Sequence, residues 1–149
     1  MLRTPQHKGK ERETAKKILT RSNVRCTRQR CAVLEILLRS EDHPTAALIH
    51  ERSGASMSLA TVYNCLETLT EAGLLNRTFP DAGPARYCPK LVPHVHFLDE
   101  TTHRIIDVHL RPGVKPEEVF NLPPGATVRV LDACLRGSLP VGYSEKKES

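Results

Sequence analysis

The sequence predicts an α+β fold in two parts, helices first and strands after. Apolar residues recur at helical spacing through residues 28–40, 46–54 and 59–73. A Pro/Gly-interrupted pair of short β-prone runs follows over residues 74–88, and from His94 the pattern changes to short β-rich runs. The proline-flanked segment Pro89–Pro93 places the cut after Cys88, giving domains 1–88 and 89–149. Residues 1–10 and 141–149 read as flexible ends, since they hold too few apolar side chains to pack.

Each element has a local cause. Residues 11–21 form a short basic helix with Ala15, Ile18 and Leu19 on one side. Thr27 caps the next helix, whose Cys31, Leu34, Leu37 and Leu38 mark a buried face. Thr45, after Asp42-His43-Pro44, caps a third helix that Gly54 ends. Ser58 caps the fourth, in which Leu59, Val62, Leu66 and Leu69 form a stripe that Gly73 closes. Leu74–Phe79 and Ala85–Cys88 read as a hairpin around residues 80–84. Further strands are expected at 94–100, 103–110 and 126–135, with a helical turn or two within 115–121.

Composition narrows the class. With 149 residues and 39% hydrophobic content, the chain suits one ordinary domain or two small ones that share a dimer interface, and two small ones fit better. No run approaches the roughly 20 apolar residues of a membrane span, and the polar N-terminus is unlike a signal peptide, so a cytoplasmic protein without membrane contact is expected. The five cysteines never form a C-x-x-C pair, which argues against a disulfide framework and a four-thiolate zinc site. Charge is uneven: 15 Lys/Arg face 9 Asp/Glu in residues 1–90, against 7 and 8 in residues 91–149. Such a basic N-terminal half suits a polyphosphate partner.

Two short helices joined by a tight turn, the second with a polar start, make a helix-turn-helix, and the hairpin behind it a wing. The partner is then a double-stranded DNA operator. Residues near the start of the fourth helix reach base edges: Ser58, Ala60, Thr61, Tyr63 and Asn64. Arg25, Arg28 and Arg30 supply phosphate contacts. The blander alternative has Tyr63 packed on the wing and the arginines merely solvated. RNA fits less well, because the chain has no Trp and only 4% aromatics on which bases could stack.

A second constellation is metal-binding. His94 and His96 are two apart, so on a strand both rings emerge on one face. Cys88 at the wing's end, Asp107 on the next strand and His43 ahead of the third helix complete a set of borderline-metal ligands drawn from both domains. A metal so held fixes the orientation of one domain on the other, which is a switch. His50, His103 and His109 read as surface or hydrogen-bonding residues, Cys31, Cys65 and Cys134 as core, and Cys26 as an unassigned thiol. The competing classes are a hydrolase on His94, His96 and Asp107, for which no nucleophile elbow or phosphate loop is found, and a metal-independent winged-helix protein. No enzyme activity is expected.

Thr27-Arg-Gln-Arg30, His43-Pro-Thr-Ala46, Ser58-Leu-Ala-Thr-Val-Tyr-Asn64, Glu71-Ala-Gly-Leu-Leu75 and His94-Val-His-Phe97 together resemble the ferric uptake regulator family over about residues 14–136. Within it, the Thr-Val-Tyr-Asn run and the Pro123-Pro-Gly125 ending are most similar to the iron response regulator branch. The resemblance implies a winged helix-turn-helix domain followed by a small α/β dimerisation domain, and a homodimeric repressor. It also implies one regulatory transition metal (Fe²⁺, Mn²⁺ or Zn²⁺) or haem per subunit, near His43, Cys88, His94, His96 and Asp107, controlling iron or haem homeostasis. Peroxide or zinc sensing is the alternative within the family. The chain departs from the family in carrying Asp99 and Thr102 where most members have the C-x-x-C of a structural zinc, so that zinc is expected to be absent. Cys88 stands where iron and peroxide sensors usually have an acid, a change that favours zinc or haem. Val95 interrupts the histidine run of the haem-sensing branch.

Overall fold

The computed structural model describes residues 5–79, 83–89, 94–128 and 131–143. The elements run α1 (Pro5–Arg21), α2 (Arg28–Arg39), α3 (Ala46–Arg52), α4 (Leu59–Glu71), β1 (Leu75–Thr78), β2 (Arg86–Pro89), β3 (His94–Asp99), β4 (Ile105–His109), α5 (Pro116–Val119) and β5 (Cys134–Gly137). The chain divides into two compact units, Met1–Leu91 and Val92–Ser149. Of the expected flexible ends, 1–4 and 144–149 lie outside the described residues, as do parts of the hairpin turn and of the proline-flanked segment. Residues 5–10 belong to α1.

The first unit is a four-helix cluster followed by a two-stranded wing. Its core is the buried face of each helix: Ala15 and Leu19, then Cys31, Val33, Leu34 and Leu37, then Ala46 and Ile49, then Val62, Cys65, Leu66 and Leu69. Burying a leucine side chain contributes about 1.5–3 kcal/mol, so these residues hold the unit together. Three side-chain caps set the helix starts. Thr27 Oγ1 accepts from the Arg30 N–H at 3.2 Å, Thr45 Oγ1 from Leu48 at 3.3 Å, and Ser58 Oγ from Thr61 at 3.1 Å. Arg39 on α2 donates to Glu11 on α1 at 2.8 Å and to Glu35 on its own helix at 3.3 Å. At the end of α4, Gly73 takes a positive φ of 73°, and the Leu74 N–H returns to the Leu69 carbonyl. The chain thus turns directly from α4 into β1, which pairs antiparallel with β2.

Leu59 corrects the predicted stripe. It is 40% exposed, and Cys65 takes its place among the buried residues of α4.

The second unit is a three-stranded sheet in the order β4-β3-β5, with β3 central. β4 pairs with β3 antiparallel and β5 pairs with it in parallel, so the connection from β4 to β5 is a crossover that contains α5. The strand expected at 126–135 is displaced: β5 is Cys134–Gly137, residues 126–128 and 131–133 are not strand, and 129–130 lie outside the described residues. Cys134, read as core, is exposed. Asp99 closes the far end of β3, accepting from the Thr102 hydroxyl and from the N–H groups of Thr101 and Leu139, both at 3.3 Å. Those bonds hold its carboxyl below the usual carboxylate range. Architecture and element order make this an α+β fold, a winged helix-turn-helix domain followed by a small α/β domain.

Candidate nucleic-acid interface and metal ligands

The outward face of α4 is built by its core face. Because Val62, Cys65, Leu66 and Leu69 are buried, helical geometry turns Leu59, Ala60, Tyr63 and Asn64 to solvent. Tyr63 is 50% exposed. Ser58 and Thr61 spend part of their hydrogen-bonding capacity on each other, their hydroxyl oxygens lying 2.9 Å apart at the helix start. Arg25 and Arg28 are exposed. Arg30 is half-buried and donates from Nη1 to the Arg25 carbonyl at 3.0 Å, so it braces the basic segment as well as adding charge. Sequence reasoning missed Arg77: it is exposed on β1, with its guanidinium 5.9 Å from the Phe79 ring centroid. Its alternation with the buried Asn76 and Thr78 was the available signal.

In the first unit, His43 and Cys88 come together. An antiparallel bridge joins Thr45 to Arg86, the Tyr87 N–H donates to the Pro44 carbonyl at 3.1 Å, and Arg86 Nη1 donates to the His43 carbonyl at 3.3 Å. Continuing that register along both chains sets His43 opposite Cys88, and a ring nitrogen of His43 lies within 4.8 Å of the Cys88 sulfur. Both side chains are buried. His43 holds a left-handed backbone, φ 49°, which is sterically costly for a residue with a Cβ. Costly backbone conformations of this kind cluster at functional sites.

In the second unit, His94, His96 and Asp107 share one face of the β3–β4 ladder. His96 stands directly opposite Asp107 in register. One Asp107 carboxylate oxygen lies 3.4 Å from His94 Nε2 and 3.7 Å from His96 Nε2, and the two imidazole rings pack edge to face at 5.0 Å. Both histidines are buried while Asp107 is half-exposed. His109, read from sequence as a surface residue, is exposed but sits opposite His94, ring to ring at 5.9 Å. The strand register that brings it there follows from the turn at 100–104 and cannot be read from the histidine alone. His50 is half-buried on α3 and His103 is exposed in that turn.

An imidazole–thiol pair in one unit and two imidazoles with a carboxylate in the other are donors suited to Fe²⁺, Mn²⁺ or Zn²⁺, and the donor chemistry therefore fits a borderline divalent metal.

Residues 21–120 match the model of the ferric uptake regulator family. The chain is similar to the peroxide operon regulator of Bacillus subtilis, 38% identical over 112 residues that cover 72% of this chain and 76% of the relative. It is also similar to the ferric uptake regulation protein of Brucella abortus, 36% identical over 95 residues, 61% of this chain and 67% of that one. Among solved structures it superposes on the ferric uptake regulator of Pseudomonas aeruginosa with manganese, with a TM-score of 0.66 and 22% identity, covering 84% of this chain and 97% of the other. That likeness shows the shared fold. With its helix-turn-helix, wing and histidine-bearing sheet, the chain belongs to the ferric uptake regulator family of metal-responsive DNA-binding transcriptional regulators.

Proposed function

We propose that the chain is a cytoplasmic homodimeric repressor whose affinity for a palindromic operator is set by one regulatory metal per subunit. His43 and Cys88 from the first unit and His94, His96 and Asp107 from the second are its ligands. The observation that carries this reading is the position of Cys88. It lies on β2, which pairs with β1, and β1 follows α4 through the single turn at Gly73. A metal bond to Cys88 therefore acts on the strand pair that continues the recognition helix. Ligands in the second unit would anchor the other side of that bond, so that binding fixes the recognition helix for the major groove.

Within that mechanism the chain's residues have separate tasks. Tyr63, Asn64 and Thr61 face the bases, while Ser58 holds the helix start and Arg25, Arg28 and Arg30 hold phosphates. Asp107 orients the two imidazoles that flank it. Exposed Val119, Phe120 and Leu135 give the second unit an apolar surface, which supports pairing through that unit. Metal, when bound, supplies the cross-link.

Iron is the metal favoured by the name of one relative, the ferric uptake regulation protein, and iron homeostasis is then the regulated process. One observation favours a second reading: the Cys88 thiolate is a softer donor than a carboxylate and shifts selectivity toward zinc, or toward haem as a thiolate ligand. Fluorescence anisotropy with an operator duplex, titrated with Mn²⁺, Zn²⁺, anaerobic Fe²⁺ or haem, separates these. We expect one metal to change operator affinity at least tenfold, and His96→Ala to abolish that response. Equal, sequence-indifferent binding under every condition would refute the proposal.

A further inference from the structure

The sulfurs of Cys26 and Cys31 lie 3.0 Å apart, and both cysteines are free thiols. A disulfide bond is about 2.05 Å long, so an approach of about 1 Å would close it. The two thiols differ in surroundings: Cys26 is exposed on the segment before α2, and Cys31 is buried in the first turns of that helix. Burial, with the Cys26 thiol beside it, pushes the Cys31 thiol up to about 11. Cys31 thus keeps its proton at neutral pH, whereas Cys26 is the sulfur that solvent-borne oxidants meet.

We propose that Cys26 and Cys31 are a peroxide-oxidisable dithiol whose intrachain disulfide lowers operator affinity by re-setting the segment that carries Arg25, Arg28 and Arg30. The effect on affinity rests on the DNA-binding reading above; the disulfide itself does not. The Cys26 thiolate attacks one peroxide oxygen, giving a sulfenic acid and releasing hydroxide. That hydroxide takes the Cys31 proton as water, the resulting Cys31 thiolate attacks the Cys26 sulfur, and the departing sulfenic hydroxide takes up the proton that Cys26 gave to solvent, as the second water. Two thiols and one hydrogen peroxide yield one disulfide and two waters, and the peroxide is the oxidant reduced.

The surrounding contacts tie that bond to the basic segment. Thr27, between the two cysteines, caps α2 by accepting from the Arg30 N–H, and Arg30 Nη1 reaches back to the Arg25 carbonyl. Drawing Cys26 onto Cys31 strains both contacts and shifts Arg25, on the segment before α2, relative to Arg28 and Arg30 on the helix. This chemistry is separate from the histidine-bearing ligands, because it needs no metal.

Peptide mapping of the full chain, treated with hydrogen peroxide in buffer containing redox-inert Zn²⁺, tests the proposal. The expected product is a Cys26–Cys31 linked species 2 Da lighter than the thiol form, by loss of two hydrogens, reversed by dithiothreitol. It should be absent in Cys26→Ser and Cys31→Ser, and Cys26 is exposed, so its variant folds. Oxidation of Cys26 only to sulfinic or sulfonic acid, or its linkage to a second chain, would overturn the dithiol. Operator anisotropy on the same samples should show at least a tenfold loss of affinity that dithiothreitol restores and Cys31→Ser lacks. A complete disulfide with unchanged affinity would overturn the regulatory half. Failure of the reduced protein to bind any operator would count against the proposed function alone, since the mass change reads the dithiol independently.

Discussion

Replacing His43 separates its proposed role as a metal ligand from its place at a left-handed backbone position, because asparagine and alanine differ in the second only. His43 sits at φ 49°, where a residue with a Cβ costs about 1–2 kcal/mol unless its side chain bonds locally, as that of asparagine does. Both His43→Asn and His43→Ala delete the imidazole. The metal-free alanine variant should therefore fall about 1 kcal/mol below the asparagine variant, roughly fivefold in the folding equilibrium and about 4 °C or more in Tm for a unit of this size. The metal response should be lost in both. Metal at a hundred times its Kd stabilises the native chain by about 2.7 kcal/mol, and a hundredfold weaker site at the same concentration would retain only about 0.4 kcal/mol. Circular-dichroism melts with chelator and with Mn²⁺ read both quantities. Retention of the full metal increment in both variants would refute the ligand assignment, and an alanine variant as stable as the asparagine one would refute the strain argument.

Three other outcomes follow from the structure. Asp99, whose folded carboxyl lies below its ordinary 3.8, stabilises fully above that value and loses the contribution as pH falls through the lower folded one. Asp99→Asn should thus be less stable than the parent at pH 7, with the gap in urea midpoints closing below about pH 4; a pH-independent gap would contradict the assignment. Arg28→Ala should reduce the slope of log affinity against log salt by about 1 per subunit, measured by anisotropy across a salt series. Leu66→Ala, which empties a fully buried position of α4, should cost about 2–5 kcal/mol in chemical denaturation.

Much of this molecule is legible in its sequence. Thr27, Thr45 and Ser58 announced three helix starts because a hydroxyl before an apolar-periodic run has a specific job, accepting an otherwise unpaired N–H. The hairpin was legible from the punctuation around residues 80–84, and the shared face of His94 and His96 from strand alternation. Alternation failed at β5 for a physical reason. It reports burial of one face, but Cys134, Leu135 and Arg136 are all exposed, so the strand is defined by hydrogen bonds to β3 and not by a buried side. The exposure of Cys134 and Leu59 was hidden for a related reason, since apolar character does not say which surface awaits a partner. The bridge between Thr45 and Arg86 links residues far apart in sequence, and neither carries a local sign of it. His43 and Cys88 are legible in the sequence as donor types of one set, and the resemblance agrees, but the backbone bridge that brings them side by side is supplied by the structure alone.

X-ray absorption at the zinc edge of the Zn²⁺-loaded protein tests the central claim most directly. A metal held by ligands of both units predicts a first shell of nitrogen and oxygen neighbours with one sulfur at about 2.3 Å, and loss of that sulfur in Cys88→Ser. A shell of nitrogen and oxygen alone in the parent, unchanged by Cys88→Ser, would contradict it.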